Sequence, residues 1–79
     1  MKYILFEDFG GHPVPIIFPN RIDHEEMREQ MPYTKVLSGG YVELEQGAFR
    51  CYGEAKSIKA CAGDGDAALL VGIFSEDAQ

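Results

Sequence analysis

The sequence predicts a single α+β domain in the order ββαββα, with a four-stranded antiparallel sheet and two short helices mainly on one face. Two pairs of apolar stretches flank glycine-containing turns, which predicts two β-hairpins. A segment with a capping signal follows the first hairpin, and an apolar stripe with helical spacing lies near the end of the chain. The 79 residues allow one domain, covering residues 1–79.

The first hairpin pairs a β-rich strand with a strand that contains prolines. Residues 2–8 are rich in β-branched and aromatic side chains, and residues 14–18 form the returning strand. Gly10 and Gly11 tolerate the positive φ angles of a tight two-residue turn. That turn gives the pairs Leu5–Ile16, Ile4–Ile17 and Tyr3–Phe18. Because prolines cannot donate to a ladder, the returning strand should lie at a sheet edge or be irregular.

Both faces of this hairpin are apolar, whereas a hairpin with one solvated face alternates apolar and polar residues. Either the chain covers both faces, or one face is a contact site. We predict self-association through one face, as a two-fold homodimer. The candidate residues for this contact are Tyr3, Leu5, Ile16 and Phe18.

The first helix has a clear start signal. Asp23 is a suitable N-cap, and Glu26 three residues later completes a pattern like a capping box. Pro32 stops the helix, which should span residues 24–31. His24 lies at the helix start, where a charged imidazole is unfavourable, so we expect an exposed neutral side chain.

The second hairpin has a register that can be checked against side-chain chemistry. A two-residue turn at 46–47 gives the pairs Glu45–Ala48, Leu44–Phe49, Glu43–Arg50, Val42–Cys51 and Tyr41–Tyr52. Apolar residues then meet each other, an acid meets a base, and a one-residue slip would invert every face. Four side chains are expected to point to the core: Val42, Leu44, Phe49 and Cys51. Gly39 and Gly40, before them, indicate a bulge or a sharp bend.

The other face of this hairpin is the candidate protein-binding face. Tyrosine and arginine are frequent in interface hot spots. An ordinary solvated sheet face with cross-strand pairs is the alternative. The candidate residues are Tyr41, Glu43, Arg50, Tyr52 and Glu54.

The last element follows a glycine- and aspartate-rich segment at 63–66. Asp64 or Asp66 can cap a helix that continues to about residue 76. An apolar stripe with helical spacing supports this helix, and its members are Leu69, Leu70, Ile73 and Phe74. A strand over residues 69–74 is the alternative.

The charge balance excludes one common role. Seven basic and thirteen acidic residues give a net charge of −6, and the basic residues are scattered. Direct contact with nucleic acid or an anionic membrane is therefore not expected, whereas a basic protein partner is possible. We expect a cytoplasmic protein, because no apolar stretch is long enough for a membrane span or a signal peptide.

No constellation of residues predicts catalysis. Cys51 and Cys61 lack the spacing of a redox or zinc pair, and a single histidine at a helix start is weak evidence for a general base. Asp64 and Asp66 are better explained by helix capping than by a cation loop. We therefore expect a protein that is not an enzyme, with no catalytic, cofactor-binding or metal residues and no cofactor.

Four parts of the sequence carry a resemblance, and they are residues 16–19 (IIFP), His24, residues 38–42 (SGGYV) and residues 51–57 (CYGEAKS). Together they resemble a group of short uncharacterised proteins of bacteria and their phages. The resemblance covers most of the chain and implies a phage or prophage context. It implies no activity and no site residue.

The function expected from the sequence is binding. The first hypothesis is a small accessory or interaction protein that acts through protein–protein contacts with a partner of unknown identity. The alternative is an acidic phage-type inhibitor that occupies a nucleic-acid-binding surface of a host protein. Acidic side chains clustered on one face would favour the inhibitor, and scattered ones the accessory protein.

Overall fold

The computed structural model describes residues 1–75 and has the α+β architecture that the sequence predicts. A four-stranded antiparallel sheet has the strand order β2-β1-β3-β4. Its strands are β1 (Lys2–Glu7), β2 (Pro13–Phe18), β3 (Lys35–Glu45) and β4 (Ala48–Tyr52). The proline-containing strand β2 lies at a sheet edge, as predicted.

Two helices accompany this sheet. The helices are α1 (His24–Gln30) and α2 (Asp66–Ser75). The last element is thus a helix and not a strand, and the predicted end at residue 76 lies outside the described residues. Neither helix within residues 1–75 has the length and apolar composition that spanning a bilayer requires.

A second, smaller hairpin follows β4 and was not predicted. Its strands β5 (Glu54–Ala55) and β6 (Ala60–Cys61) pair with each other around a 3-10 turn at Lys56–Ile58. Ala55 and Ile58 are buried against the sheet. The segment after β4 therefore contributes to the core, although its short length and small residues give no clear strand signal.

The two helices lie on opposite faces of the sheet, so the prediction that they share one face is wrong. Met27 of α1 packs on the cluster that contains Ile4 and Phe6. Leu70 of α2 packs on the other cluster, beside Tyr3. Because successive side chains of β1 alternate between faces, its apolar run requires cover on both sides. The second helix supplies that cover.

The predicted register of the first hairpin is also wrong, by one residue. Ile4 pairs with Ile16, because the connection is a three-residue loop and not a Gly-Gly turn. The Asp8 carboxylate accepts the Gly10 N–H at 2.9 Å and the His12 N–H at 2.8 Å. These bonds fix the loop and, with the backbone bond from Asp8 N–H to His12 O at 2.8 Å, set the register.

This register removes the surface on which the predicted homodimer relied. Ile16 and Phe18 share a face with Ile4, and Tyr3 and Leu5 lie on the opposite face. Tyr3, Leu5 and Phe18 are 1%, 6% and 2% exposed, so the chain itself covers them. Ile16 is half-buried against the cluster on the α1 side. No common apolar face is left at these four positions.

The register of the second hairpin is confirmed at all five predicted pairs. Gln46 and Gly47 have φ angles of 50° and 79°, the left-handed conformations that a tight two-residue turn requires. Val42 is buried as predicted, and Phe49 and Cys51 are half-buried on the α2 side. Leu44 is the exception: it is 66% exposed, because it lies near the turn, away from the buried part of the sheet.

The predicted irregularity in β3 occurs at a different place. The shift in pairing with β1 lies between Leu5 and Phe6 and leaves Leu37 out of register. The strand runs through Gly40, where a Cβ atom would approach the Tyr52 carbonyl oxygen to 2.6 Å. Gly40 is thus required by the close approach of another backbone.

Candidate functional site

The second hairpin brings the five predicted binding residues to the α1 side of the sheet. Tyr41, Glu43 and Tyr52 are half-buried, and Arg50 and Glu54 are exposed. We call this set, Tyr41, Glu43, Arg50, Tyr52 and Glu54, the hairpin face. Glu54 joins it because Gly53, with φ 77°, turns the chain at the end of β4.

Three side chains of the hairpin face hold one another in place. Arg50 donates from Nη2 to Glu43 Oε2 at 2.7 Å, and the Tyr52 hydroxyl donates to Glu43 Oε1 at 3.0 Å. The Arg50 guanidinium also lies 4.4 Å from the centre of the Tyr52 ring. The Arg50 and Tyr52 hydrogen bonds lower the pKa of Glu43 to about 2, so this carboxylate stays charged at neutral pH.

An aromatic row continues the hairpin face toward α1. The Tyr41 and Tyr52 rings are stacked with centroids 5.8 Å apart. The His24 ring meets Tyr41 edge-on at 5.8 Å and Phe18 edge-on at 5.5 Å. Such edge-to-face contacts add to the free energy of burial and fix ring orientation. Tyr41 is thus held between the core and the exposed part of the face.

His24 is buried, at 5% exposed, so the prediction of an exposed side chain is wrong. Its Nε2 lies 2.8 Å from the Gly40 carbonyl oxygen. Because a carbonyl can only accept, Nε2 carries the proton in this bond. Burial lowers the pKa of His24, which favours the neutral imidazole. The neutral imidazole that we expected is therefore favoured by burial of the ring, and not by its exposure at the helix start.

An open depression adjoins the hairpin face at the start of α1. It measures about 660 Å³. We call it the acidic depression, and its lining residues are Asp23, His24, Glu25, Tyr41, Glu54, Lys56 and Ser57. Its lining has three carboxylates and one ammonium group, so it suits a cationic group better than an anionic one. The half-buried Tyr41 also lines this depression, together with the carboxylates.

The sequence does not predict that Asp23 and Glu25 contribute to this surface. The sequence predicts that Asp23 caps α1, but its side chain makes no capping hydrogen bond, and its Oδ1 lies 3.8 Å from Lys2 Nζ. An acidic first helical turn is a signal of capping in any sequence. Only the contacts of His24 with Gly40 and Tyr41 show that these carboxylates border the hairpin face.

The other chemically notable residues serve the fold. Asp66 is 7% exposed and accepts hydrogen bonds from the Tyr3 hydroxyl and, at 2.9 Å, from the Gly63 N–H. Burial raises the pKa of the half-buried Cys51 thiol, and Cys61 is exposed. Within residues 1–75, no three His, Cys, Asp or Glu side chains come together in a way that could hold a metal ion.

No family model, no curated protein and no solved structure matches this chain. The likeness to short bacterial and phage proteins therefore stays a prediction.

Proposed function

We propose that this protein acts without catalysis, as a small accessory protein that binds a basic protein partner through the hairpin face and the acidic depression. The observation that carries the proposal is the stacked pair of Tyr41 and Tyr52 beside the carboxylates of Asp23 and Glu54. Aromatic residues supply contact area at low entropic cost, and acidic neighbours attract a basic partner.

Preorganisation supports a binding role for this surface. Glu43 holds both Arg50 and Tyr52, and the two tyrosine rings stack on each other. Side chains that are already ordered lose less conformational entropy when a partner binds. A face of freely moving lysine and glutamate side chains would lack this advantage.

The net charge of −6 supports the same partner chemistry. Charges of one sign around a contact surface speed association with a partner of opposite sign, and salt screens this effect. Both cysteines are free thiols, which fits the proposed action in a reducing cytoplasm. Binding should therefore weaken as ionic strength rises.

A pull-down with matched variants tests this proposal. The protein is immobilised, bound proteins are identified from host lysate, and the affinity of each purified partner is measured. Glu54→Lys reverses an exposed charge that makes no internal hydrogen bond within residues 1–75, and it should weaken binding roughly fivefold or more. The control is Glu29→Lys, the same change on an exposed position of α1.

The outcomes separate the alternatives clearly. A partner that is lost with Glu54→Lys and kept with Glu29→Lys supports the proposal. A partner held equally by both variants would mean that the interface lies elsewhere. If no saturable partner is found, the proposal of a binding protein is contradicted.

The clustering of acids favours a second candidate, an acidic phage-type inhibitor that occupies a nucleic-acid-binding surface of a host protein. Asp23, Glu25 and Glu54 line one depression, which is the arrangement that mimicry of a phosphate backbone needs. The test is competition: the partner should bind either an oligonucleotide or this protein. A ternary complex of all three would contradict the inhibitor.

A further inference from the structure

One nitrogen of the buried His24 ring has no partner in the described part of the chain. Nε2 donates to the Gly40 carbonyl oxygen at 2.8 Å, which leaves Nδ1 of the neutral ring as an acceptor. No donor within residues 1–75 bonds to Nδ1, although His24 is only 5% exposed. In the same residues, Ser38 Oγ is the one fully enclosed side-chain nitrogen or oxygen without a partner, so Nδ1 is open to solvent. An acceptor in this position has room for a donor from outside the chain.

The acidic depression is the opening that the His24 ring borders. Asp23 and Glu25 line it at the start of α1, and Glu54 lines it from β5. Within residues 1–75, no carboxylate forms an ion pair with His24. A ligand that donates to Nδ1 would therefore lie between the imidazole and the carboxylates.

The lining of the depression favours a ligand that is cationic and rich in donors. Ionised carboxylates can only accept hydrogen bonds, and so can the unprotonated Nδ1. Lys56 is the one cationic side chain of the lining, against three carboxylates. The partial positive charge at the start of α1 is offset by Asp23 and Glu25. A metal ion would need three ligands close together, which residues 1–75 do not provide.

Among the cationic groups of proteins, a guanidinium fits this lining better than an ammonium. Its planar fork has five donors in fixed directions and can donate to acceptors on different walls, whereas the donors of an ammonium share one point. A guanidinium is also weakly hydrated and packs on aromatic rings. Tyr41 supplies such a ring in the lining, and edge contact with His24 and stacking on Tyr52 hold it in place, each at 5.8 Å between centroids.

We propose that the acidic depression binds one arginine side chain of the partner, with its guanidinium donating to His24 Nδ1 and to the carboxylates of Asp23 and Glu54. This inference rests on the proposed function, because it names the group by which a basic partner is recognised. The bond from His24 to Gly40 fixes the ring and its tautomer. Burial lowers the pKa of His24, so Nδ1 remains an acceptor at neutral pH.

A short synthetic peptide provides the probe. It has a single arginine flanked by glycine and serine, and both ends are blocked so that the guanidinium is its only charge. Nitrogen-15 resonances of the histidine rings of the full chain are recorded at neutral pH and low salt as the peptide is added. The His24 Nδ1 resonance should shift saturably, because this atom accepts a new charge-assisted hydrogen bond. The exposed His12 is the internal control and should not shift.

Two matched peptides separate the guanidinium from charge and from shape. Citrulline in place of arginine keeps N–H donors and a similar shape but has no charge, and it should bind at least about tenfold more weakly. Lysine keeps the charge without the planar fork, and it should bind at least about threefold more weakly.

Variants of the protein test the walls of the depression. Glu54→Gln should weaken binding of the arginine peptide roughly fivefold, whereas Glu29→Gln, on an exposed position of α1 outside the lining, should have little effect. His24→Phe removes both ring nitrogens and should also weaken binding. If that variant does not fold, the Nδ1 resonance of the unmodified protein tests the same hydrogen bond.

Each contrary outcome overturns a defined part of the reasoning. If lysine or citrulline binds as tightly as arginine, the guanidinium assignment is wrong. If the arginine peptide binds without moving the His24 Nδ1 resonance, the site is wrong. If it does not bind while a captured partner depends on Glu54, this inference fails and the proposed function survives. If it binds as expected while captured partners ignore Glu54→Lys, the arginine site stands and the proposed function fails.

Discussion

The Tyr3→Phe substitution removes one hydroxyl group. It should weaken the packing of α2 on the sheet and lower the free energy of unfolding more than a surface substitution does. The Tyr3 hydroxyl donates to Asp66 at the start of α2, and both residues are buried. Burial and this hydrogen bond raise the pKa of Tyr3, so the phenol keeps its proton and remains the donor at neutral pH. The ring stays in place in the variant, which isolates the hydrogen bond.

The expected loss of free energy of unfolding follows from the burial of the Asp66 carboxylate. In the variant, Asp66 keeps the Gly63 N–H at 2.9 Å but loses its other donor while it is only 7% exposed. A hydrogen bond to a charged group contributes about 1.5–3 kcal/mol. A chain of 79 residues has a free energy of unfolding of about 4–12 kcal/mol. The loss is therefore a large fraction of the total and should lower Tm by roughly 6–24 °C.

Urea denaturation followed by far-UV circular dichroism measures the effect. The matched control is Tyr33→Phe, because the Tyr33 ring packs on Phe6 with centroids 5.7 Å apart and its hydroxyl makes no hydrogen bond within residues 1–75. The control should change the free energy of unfolding by less than about 0.5 kcal/mol. Equal losses for both variants would refute the role of the Tyr3–Asp66 bond.

Three further predictions test other parts of the fold. Gly40→Ala should lower the free energy of unfolding by about 1–3 kcal/mol, because the new Cβ would lie 2.6 Å from a backbone oxygen of β4. Gly65→Ala, whose Cβ would have no atom within 4 Å, should lower it less, and equal urea midpoints for the two variants would contradict this. The free energy of unfolding should fall as the pH drops below about 6.5, the ordinary pKa of histidine. Burial lowers the pKa of His24, so in this range the unfolded chain takes up a proton that the folded chain does not. The loss should be at most about 1.4 kcal/mol per pH unit. Denaturation midpoints across this range should lose that slope in His24→Gln, and a persisting slope would assign it to other groups. Cys61 should react with a thiol reagent much faster than Cys51 under native conditions, because Cys61 is exposed and burial raises the pKa of Cys51. Equal rates would contradict the partial burial of Cys51 and the register that places it.

The sequence alone determined the second hairpin and the residues of the hairpin face. The turn at Gln46 and Gly47 is two residues long, and its cross-strand pairs are chemically matched, so local information sufficed. Local sequence signals also predicted the order of the main elements and the start of α1. Each depends on signals that lie within a few residues of one another.

The register predicted for the first hairpin is wrong because the Asp8 side chain, together with Gly11 at a φ of 83°, sets a longer loop. Two adjacent glycines predict a two-residue turn, but the Asp8 carboxylate binds the N–H groups of Gly10 and His12 and stabilises a loop one residue longer. With both faces of the hairpin apolar, the side-chain pattern could not reveal the error. A one-residue slip exchanges one apolar face for another.

Tertiary structure alone decided which faces are covered and where His24 and Asp23 lie. The apolar stripe of α2 predicts which side of the helix is buried. It does not predict which face of the sheet the helix packs on, because the path of residues 53–65 decides that face. His24 is buried since α1 packs its first turn against Gly40, a contact across 16 positions of the chain. Sequence patterns report local periodicity and turn chemistry, whereas burial and the acidic depression arise from contacts between distant segments.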